Sequence, residues 1–126
     1  MKIMIVDDEQ DVEIMFLQKF RREIKSKLLE VEFAFSGEQA LELLGHAESP
    51  EVVYVFSDIN MPGMSGLEML TIVKEKFPDI HVSMVSAYGD SENYNKAIKS
   101  GAKGFFTKPV DFESLKKEIL TLGGGE

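Results

Sequence analysis

The stretch Val52-Val53-Tyr54-Val55-Phe56-Ser57-Asp58-Ile59-Asn60-Met61-Pro62-Gly63-Met64-Ser65-Gly66 decides how the rest of this chain is read. Its β-branched and aromatic run, bounded by Pro and Gly, predicts a strand buried on both faces, with Asp58 standing where that strand surfaces. The arrangement recurs. Ile3 to Val6 ends at Asp7-Asp8, Val82 to Val85 ends at Ser86, and Gly104 to Thr107 ends at Lys108-Pro109. If these runs are neighbours in one parallel sheet, their carboxyl ends share the edge at which open α/β sheets bind ligands. Three carboxylates, one hydroxyl and one ammonium then meet in one crevice.

At 126 residues the chain suits one domain, able to bury roughly two-thirds of its unfolded surface. Residues 1–122 are expected to form it, with Gly123-Gly124-Gly125-Glu126 as a flexible tail. A net charge of −8 argues against direct nucleic-acid binding, which needs Lys and Arg to neutralise phosphates. The absence of cysteine excludes disulfides and thiolate metal sites, and His46 and His81 are far apart in sequence. No apolar run approaches the ~20 residues that cross a bilayer, and Met1-Lys2-Ile3 leads into a strand rather than a signal peptide. These features predict a soluble cytoplasmic protein without membrane contact.

Along the chain, acids at Asp8, Glu9 and Asp11 suit a helix start, and Val12, Met15, Phe16, Phe20 and Ile24 fall on one face of a single helix. A strand over Val31 to Phe35 precedes a capping box of Ser36 and Gln39, with Ala40, Leu41 and Leu44 inward and Gly45 as the stop. Ser65 and Glu68 form a second capping box, followed by Leu67, Leu70, Val73 and Phe77, before Pro78 ends that helix. The fourth helix, Tyr88 to Ser100, carries only a narrow stripe of Tyr94, Ala97 and Ile98 and is predicted to be weakly held, with Gly101 as its stop. Asp111 caps the last helix, whose inward face is Phe112, Leu115, Ile119 and Leu122. Five strands alternating with five helices predict an α/β domain, with helices on both faces of a parallel sheet. Periodicity leaves the strand order open.

Taken singly, Asp7 and Asp8 read as helix-starting acids, Asp58 as a turn cap, and Lys108 as one of fourteen cations. Taken together they point to chemistry. Three neighbouring carboxylates repel and raise the pKa of at least one, unless a cation compensates. Oxygen-only ligands favour Mg²⁺, which binds through a few carboxylates and phosphate oxygens. A carboxylate beside Mg²⁺ can attack phosphorus and form an aspartyl phosphate, with Lys108 neutralising the incoming charge.

Through Val6-Asp7-Asp8-Glu9, the Asp58 to Gly66 segment, Ser86-Ala87 and Lys108-Pro109, the chain resembles the receiver domains of two-component response regulators. The resemblance covers nearly the whole chain. It implies a flavodoxin-like, doubly wound five-stranded sheet of order 2-1-3-4-5, in which Asp58 accepts a phosphoryl group from a histidine kinase or histidine phosphotransfer protein. It further implies that Asp8 and Asp58 bind Mg²⁺ directly, that Asp7 acts through water, and that the Asn60 backbone carbonyl completes the ligands. Ser86 and Lys108 hold the phosphoryl oxygens. Ser86 and Phe105 act as the switch, Phe105 by ring packing alone because it lacks a hydroxyl. Asn60 and Tyr88 flank the phosphoryl group, where an amide orients the attacking water and a broad ring obstructs it, so that together they tune dephosphorylation.

On the first helix, Ile14, Leu17, Gln18 and Arg21 form a second stripe at i, i+3, i+4 and i+7, which the resemblance assigns to docking on the kinase's helical bundle. The output is expected from the fourth helix, fifth strand and fifth helix to a downstream protein target. The protein is expected to be a monomer or a weak phosphorylation-dependent dimer, and to be a phospho-acceptor signalling domain rather than a turning-over enzyme. Other readings stay open. A metal-dependent phosphatase with an aspartyl nucleophile places nucleophile and acid partner two apart after the first strand, where this chain has Asp7-Asp8-Glu9 and no inserted cap domain. A flavin or nucleotide carrier needs a Gly- or Ser/Thr-rich phosphate cradle where this chain has acids. A receiver-like interaction module that is never phosphorylated, and a receiver belonging to a longer chain, also fit.

Overall fold

Strand and helix alternate as the hydrophobic pattern predicts, in a computed structural model that describes residues 1–46, 52–87, 91–108 and 110–123. The strands are β1 (Lys2–Val6), β2 (Glu30–Ala34), β3 (Val52–Asp58), β4 (His81–Ser86) and β5 (Gly104–Thr107). All pair in parallel in the order β2-β1-β3-β4-β5, the flavodoxin-like order expected. The described helices are α1 (Gln10–Lys19), α2 (Arg21–Lys25), α3 (Gly37–His46), α4 (Gly66–Lys76), α5 (Ser91–Lys99) and α6 (Phe112–Gly123). That makes six, not five, among the described residues. Where one helix was predicted, Phe20 leaves helical geometry (φ −106°, ψ 20°) between α1 and α2. Its buried ring is held between Phe16, stacked at 5.6 Å, and Phe112, edge-on at 6.1 Å. Packing against α6 thus coincides with the break.

Period-two alternation sends each strand's side chains to two cores. Met4, Val6, Val55, Val82 and Met84 meet α3, α4 and α5 through Ala40, Leu44, Met69, Leu70, Val73 and Ala97. On the opposite face Ile3, Ile5, Tyr54 and Phe56 meet α1 and α6 through Phe16, Phe20, Leu115 and Ile119. Burying each large side chain contributes about 1.5–3 kcal/mol, so the two faces hold the sheet as a rigid plate.

The capping signals differ in how fully the structure realises them. The Ser65–Glu68 capping box is present in both directions. Ser36 accepts from the Gln39 N–H, but the Gln39 side chain accepts from Phe35 N–H (2.6 Å) rather than from the capping residue itself. Asp111 accepts from the Glu113 N–H and the Ser114 hydroxyl, as a cap should. Gly45 does not stop α3, which runs to His46; an exposed glycine lowers helix propensity without breaking the ladder. Met15, expected inward, is 44% exposed, and on α5 only Ala97 of the predicted stripe is buried. Tyr94 and Ile98 lie at the surface. Gly123, expected to open the tail, is the last residue of α6, and the Leu122 side chain and residues 124–126 fall outside the described residues. No described helix is long and apolar enough to cross a membrane.

One polar network crosses the second core. The Ser83 hydroxyl meets the Tyr54 hydroxyl, which donates to Glu118 Oε2 (3.2 Å) on α6, and Lys103 Nζ pairs with the same carboxylate at 3.7 Å. Burial raises the Tyr54 phenol well above its ordinary value near 10, the Ser83 bond opposes this, and the Glu118 charge adds to the rise. Unfolded Tyr54 therefore ionises at a pH where the folded residue stays neutral. Stability contributed by the neutral phenol is complete below pH 10 and lost as the pH rises toward the folded value, at up to about 1.4 kcal/mol per pH unit. Tyr54→Phe is expected to cost about 1 kcal/mol at neutral pH and to flatten that alkaline loss, read from urea midpoints between pH 8 and 11.

Candidate functional site

Register brings the strand ends together. Val6 pairs with Ser57, Asp58 with Val85 and Ser86 with Thr107, so Asp7, Asp58, Ser86 and Lys108 emerge side by side at the carboxyl edge. Backbone bonds from Asp7 N–H to Ala34, Ile59 N–H to Val85 and Lys108 N–H to Ser86 extend the sheet beyond each strand. The side chains just past the strands therefore start from a rigid frame.

Asp7, Asp8 and Asp58 each present a carboxylate oxygen, and these oxygens lie within 4.8 Å of one another. Asp7 and Asp58 are both buried, whereas Asp8 is exposed. Lys108 Nζ reaches Asp7 Oδ2 at 3.3 Å and Asp58 Oδ2 at 3.5 Å. It also reaches Glu9 Oε1 at 3.7 Å, a partner the sequence reading missed. Glu9 stood in the quoted motif, but its helix-starting position explained it without a second role. The Glu9 N–H closes back on Asp7 Oδ1 at 3.0 Å and fixes the Asp7 carboxylate.

Burial pushes the Asp58 carboxyl above its ordinary value; Lys108 opposes this, Asp7 reinforces it, and a backbone bond from Asn60 favours the charged form. Burial alone would lower the Lys108 ammonium, yet Asp58 and Asp7 outweigh it and hold it above its ordinary value. One lysine thus serves two buried acids, and Asp58 remains short of positive charge. An oxygen-only trio with this deficit fits a hard divalent cation such as Mg²⁺.

Ser86 is fully buried at the end of β4, and Phe105 is half-buried on β5, its ring edge-on to Tyr94 at 5.7 Å. Asn60 is exposed just beyond Asp58. Tyr88, predicted to shield the site, lies outside the described residues, as does Pro109. Ile14 and Leu17 are 65% and 45% exposed, and Gln18 and Arg21 share their exposure, although Arg21 belongs to α2.

The loop from Ile59 to Ser65 is held by residues that sequence reading passed over. Met64 N–H donates to Glu38 Oε2 (3.3 Å) on α3, and Gly63 adopts φ +75° beside that carboxylate. Nothing local marked Glu38, because its partner is 26 residues away.

The family model of the response regulator receiver domain matches residues 3–120. Sporulation initiation phosphotransferase F of Bacillus subtilis is 30% identical over 118 residues, which is 94% of this chain and 90% of that protein. A cyclic di-GMP phosphodiesterase of Thermotoga maritima is 34% identical over 119 residues, 94% of this chain but only 30% of that protein. The chain therefore spans less than a third of that relative. Among solved structures, chemotaxis protein CheY4 of Vibrio cholerae shares the fold at a TM-score of 0.81 and 26% identity, over 95% of this chain and 96% of that one.

Proposed function

The chain belongs to the response regulator receiver domain family, a family of signalling proteins, and we propose that it is a phospho-acceptor switch whose acceptor is Asp58. The observation that carries this reading is the buried Asp58 carboxylate at the carboxyl edge, joined to Asp7 through the Lys108 ammonium that pairs with both. A phosphohistidine of a histidine kinase or phosphotransfer protein is the donor. An Asp58 oxygen attacks phosphorus, Lys108 neutralises the incoming phosphoryl oxygens, and the Ser86 hydroxyl binds one of them. Asp8, Asp58 and the Asn60 carbonyl, with Asp7 acting through water, would hold Mg²⁺, which would supply the positive charge for three acids and a phosphoryl group to share this space. Glu9 steadies Asp7 and takes part of the Lys108 charge when the pairing is rearranged.

The signal leaves through α5, β5 and α6. Drawing Ser86 toward the phosphoryl group opens room for Phe105 to turn inward, and Tyr94, packed on that ring, moves with it. Asn60 and Tyr88 set the lifetime of the phosphorylated state by orienting and obstructing water. Incubation with acetyl phosphate and Mg²⁺ followed by intact mass measurement tests the reading. One adduct of phosphate mass supports it. An unmodified chain would leave an interaction module that is never phosphorylated.

The exposed stripe of Ile14, Leu17, Gln18 and Arg21 is the surface offered to the donor's helical bundle. Ile14→Glu with Leu17→Glu is expected to slow phosphoryl transfer from the cognate kinase by ~10-fold or more, consistent with loss of about 1.4 kcal/mol of docking energy. Labelling by acetyl phosphate should be unchanged, and equal loss with both donors would indicate misfolding.

A further inference from the structure

A cavity of about 360 Å³ opens at Asp58 and runs between α1 and the start of α6. Its polar lining is Asp7, Glu9, Asp11, Asp58 and Lys108, of which Asp7, Glu9 and Asp58 meet at Lys108. The remaining wall is largely apolar, with Val12, Met15 and Phe16 from α1, Phe56 from β3, Val110 just before α6 and Phe112 at its start. Cavities of a few hundred Å³ with apolar walls and a few convergent polar groups take small organic molecules. Coordinating an ion and a phosphoryl group uses only the polar end.

Resting on the phospho-acceptor reading, we propose that the apolar part of this recess receives the departing portion of a low-molecular-weight phosphoryl donor. An acyl phosphate carrying an aromatic ring is then a better donor than acetyl phosphate. In the reaction an Asp58 oxygen forms the new bond to phosphorus as the bond from phosphorus to the donor's acyl oxygen breaks. The electron pair leaves with the arene carboxylate, no proton is transferred, and Lys108 at the boundary between polar and apolar walls faces the charge that develops. Contact between the ring and Val12, Met15 and Phe112 lies away from the reacting atoms, and such remote binding raises kcat/KM.

The test compares benzoyl phosphate with acetyl phosphate at equal, subsaturating concentration in Mg²⁺, following single labelling by intact mass. Benzoyl phosphate is expected to be faster by roughly 10-fold or more, the discrimination that a small apolar contact supplies. Val12→Phe fills the recess and Met15→Gln, at a partly exposed position, makes its wall polar; each should shrink that advantage while acetyl phosphate labelling persists. If Val12→Phe loses labelling by both donors, Met15→Gln decides. Phenylphosphonate, which cannot transfer its phosphoryl group, should shift the Met15 methyl resonance where methylphosphonate does not. Labelling by acetyl phosphate with no benzoyl advantage overturns the recess and leaves the acceptor role standing. An advantage that survives both variants also overturns it, and no labelling by either donor removes the acceptor role and the inference together.

Discussion

Asp58→Asn is expected to abolish phosphoryl labelling while leaving the chain folded, the largest functional loss open to a single substitution here. An amide neither attacks phosphorus nor serves as a good ligand for a hard cation, so labelling should fall to the limit of detection. Stability should rise. Burial and Asp7 lift the wild-type Asp58 carboxyl above its ordinary value, so at neutral pH its ionised form is a cost carried by the native state. The sign follows from linkage: stability tied to a carboxyl with a raised pKa is complete at low pH and lost as the pH rises through its folded value. In chelator, Asp58→Asn should therefore gain on the wild type as pH rises from 4 to 7, with Lys108 still paired to Asp7 and Glu9. Labelling of the variant at another residue would refute Asp58 as the acceptor.

Gly66→Ala should have the largest structural effect. A methyl group there would lie 2.0 Å from the Asp58 carbonyl oxygen and 2.9 Å from both the Asp58 carbonyl carbon and the Ile59 Cα, all backbone atoms that no rotamer change can move. The Gly66 N–H donates to the Ile59 carbonyl at 2.9 Å, so α4 begins in direct contact with the end of the acceptor strand. Relief requires β3 and α4 to separate. Overpacking of this kind costs about 3 kcal/mol or more, a fall in Tm of roughly 10 °C for a domain of this size. Because the same shift displaces Asp58, and about 1 Å of misplacement can cost ~10²-fold, labelling should decline more than stability alone explains. A variant with unchanged Tm and labelling rate would show that the contact relaxes without consequence.

Much of this was legible because strands and caps are local. Buried parallel strands advertise themselves as unbroken apolar runs, and polar residues placed just past each run mark the edge where chemistry collects. Asp7, Asp8, Asp58 and Lys108 were found in that way, and the structure brings them together. Ser65 and Glu68 were found because a capping box occupies four consecutive positions. Reading α1 as one unbroken helix failed at Phe20, since periodicity continues through a break that coincides with contact with Phe112. The α5 stripe shows the complementary limit: helical spacing says which residues share a face, but not whether anything covers it.

The amino-acid sequence by itself determined the α/β class, the alternation of five strands with helices, and the identity of the acids and lysine at the strand ends, all properties of residues close along the chain. Tertiary structure decided what depends on distant segments meeting. It placed Lys108 against Asp7 across 101 positions, Tyr54 against Glu118 across 64 and Met64 against Glu38 across 26. It also set Gly66 against the Asp58 carbonyl and left a recess between α1 and α6. Propensity and periodicity act over a few residues, whereas close approach, shared charge and empty volume arise only once the sheet has set which elements are neighbours.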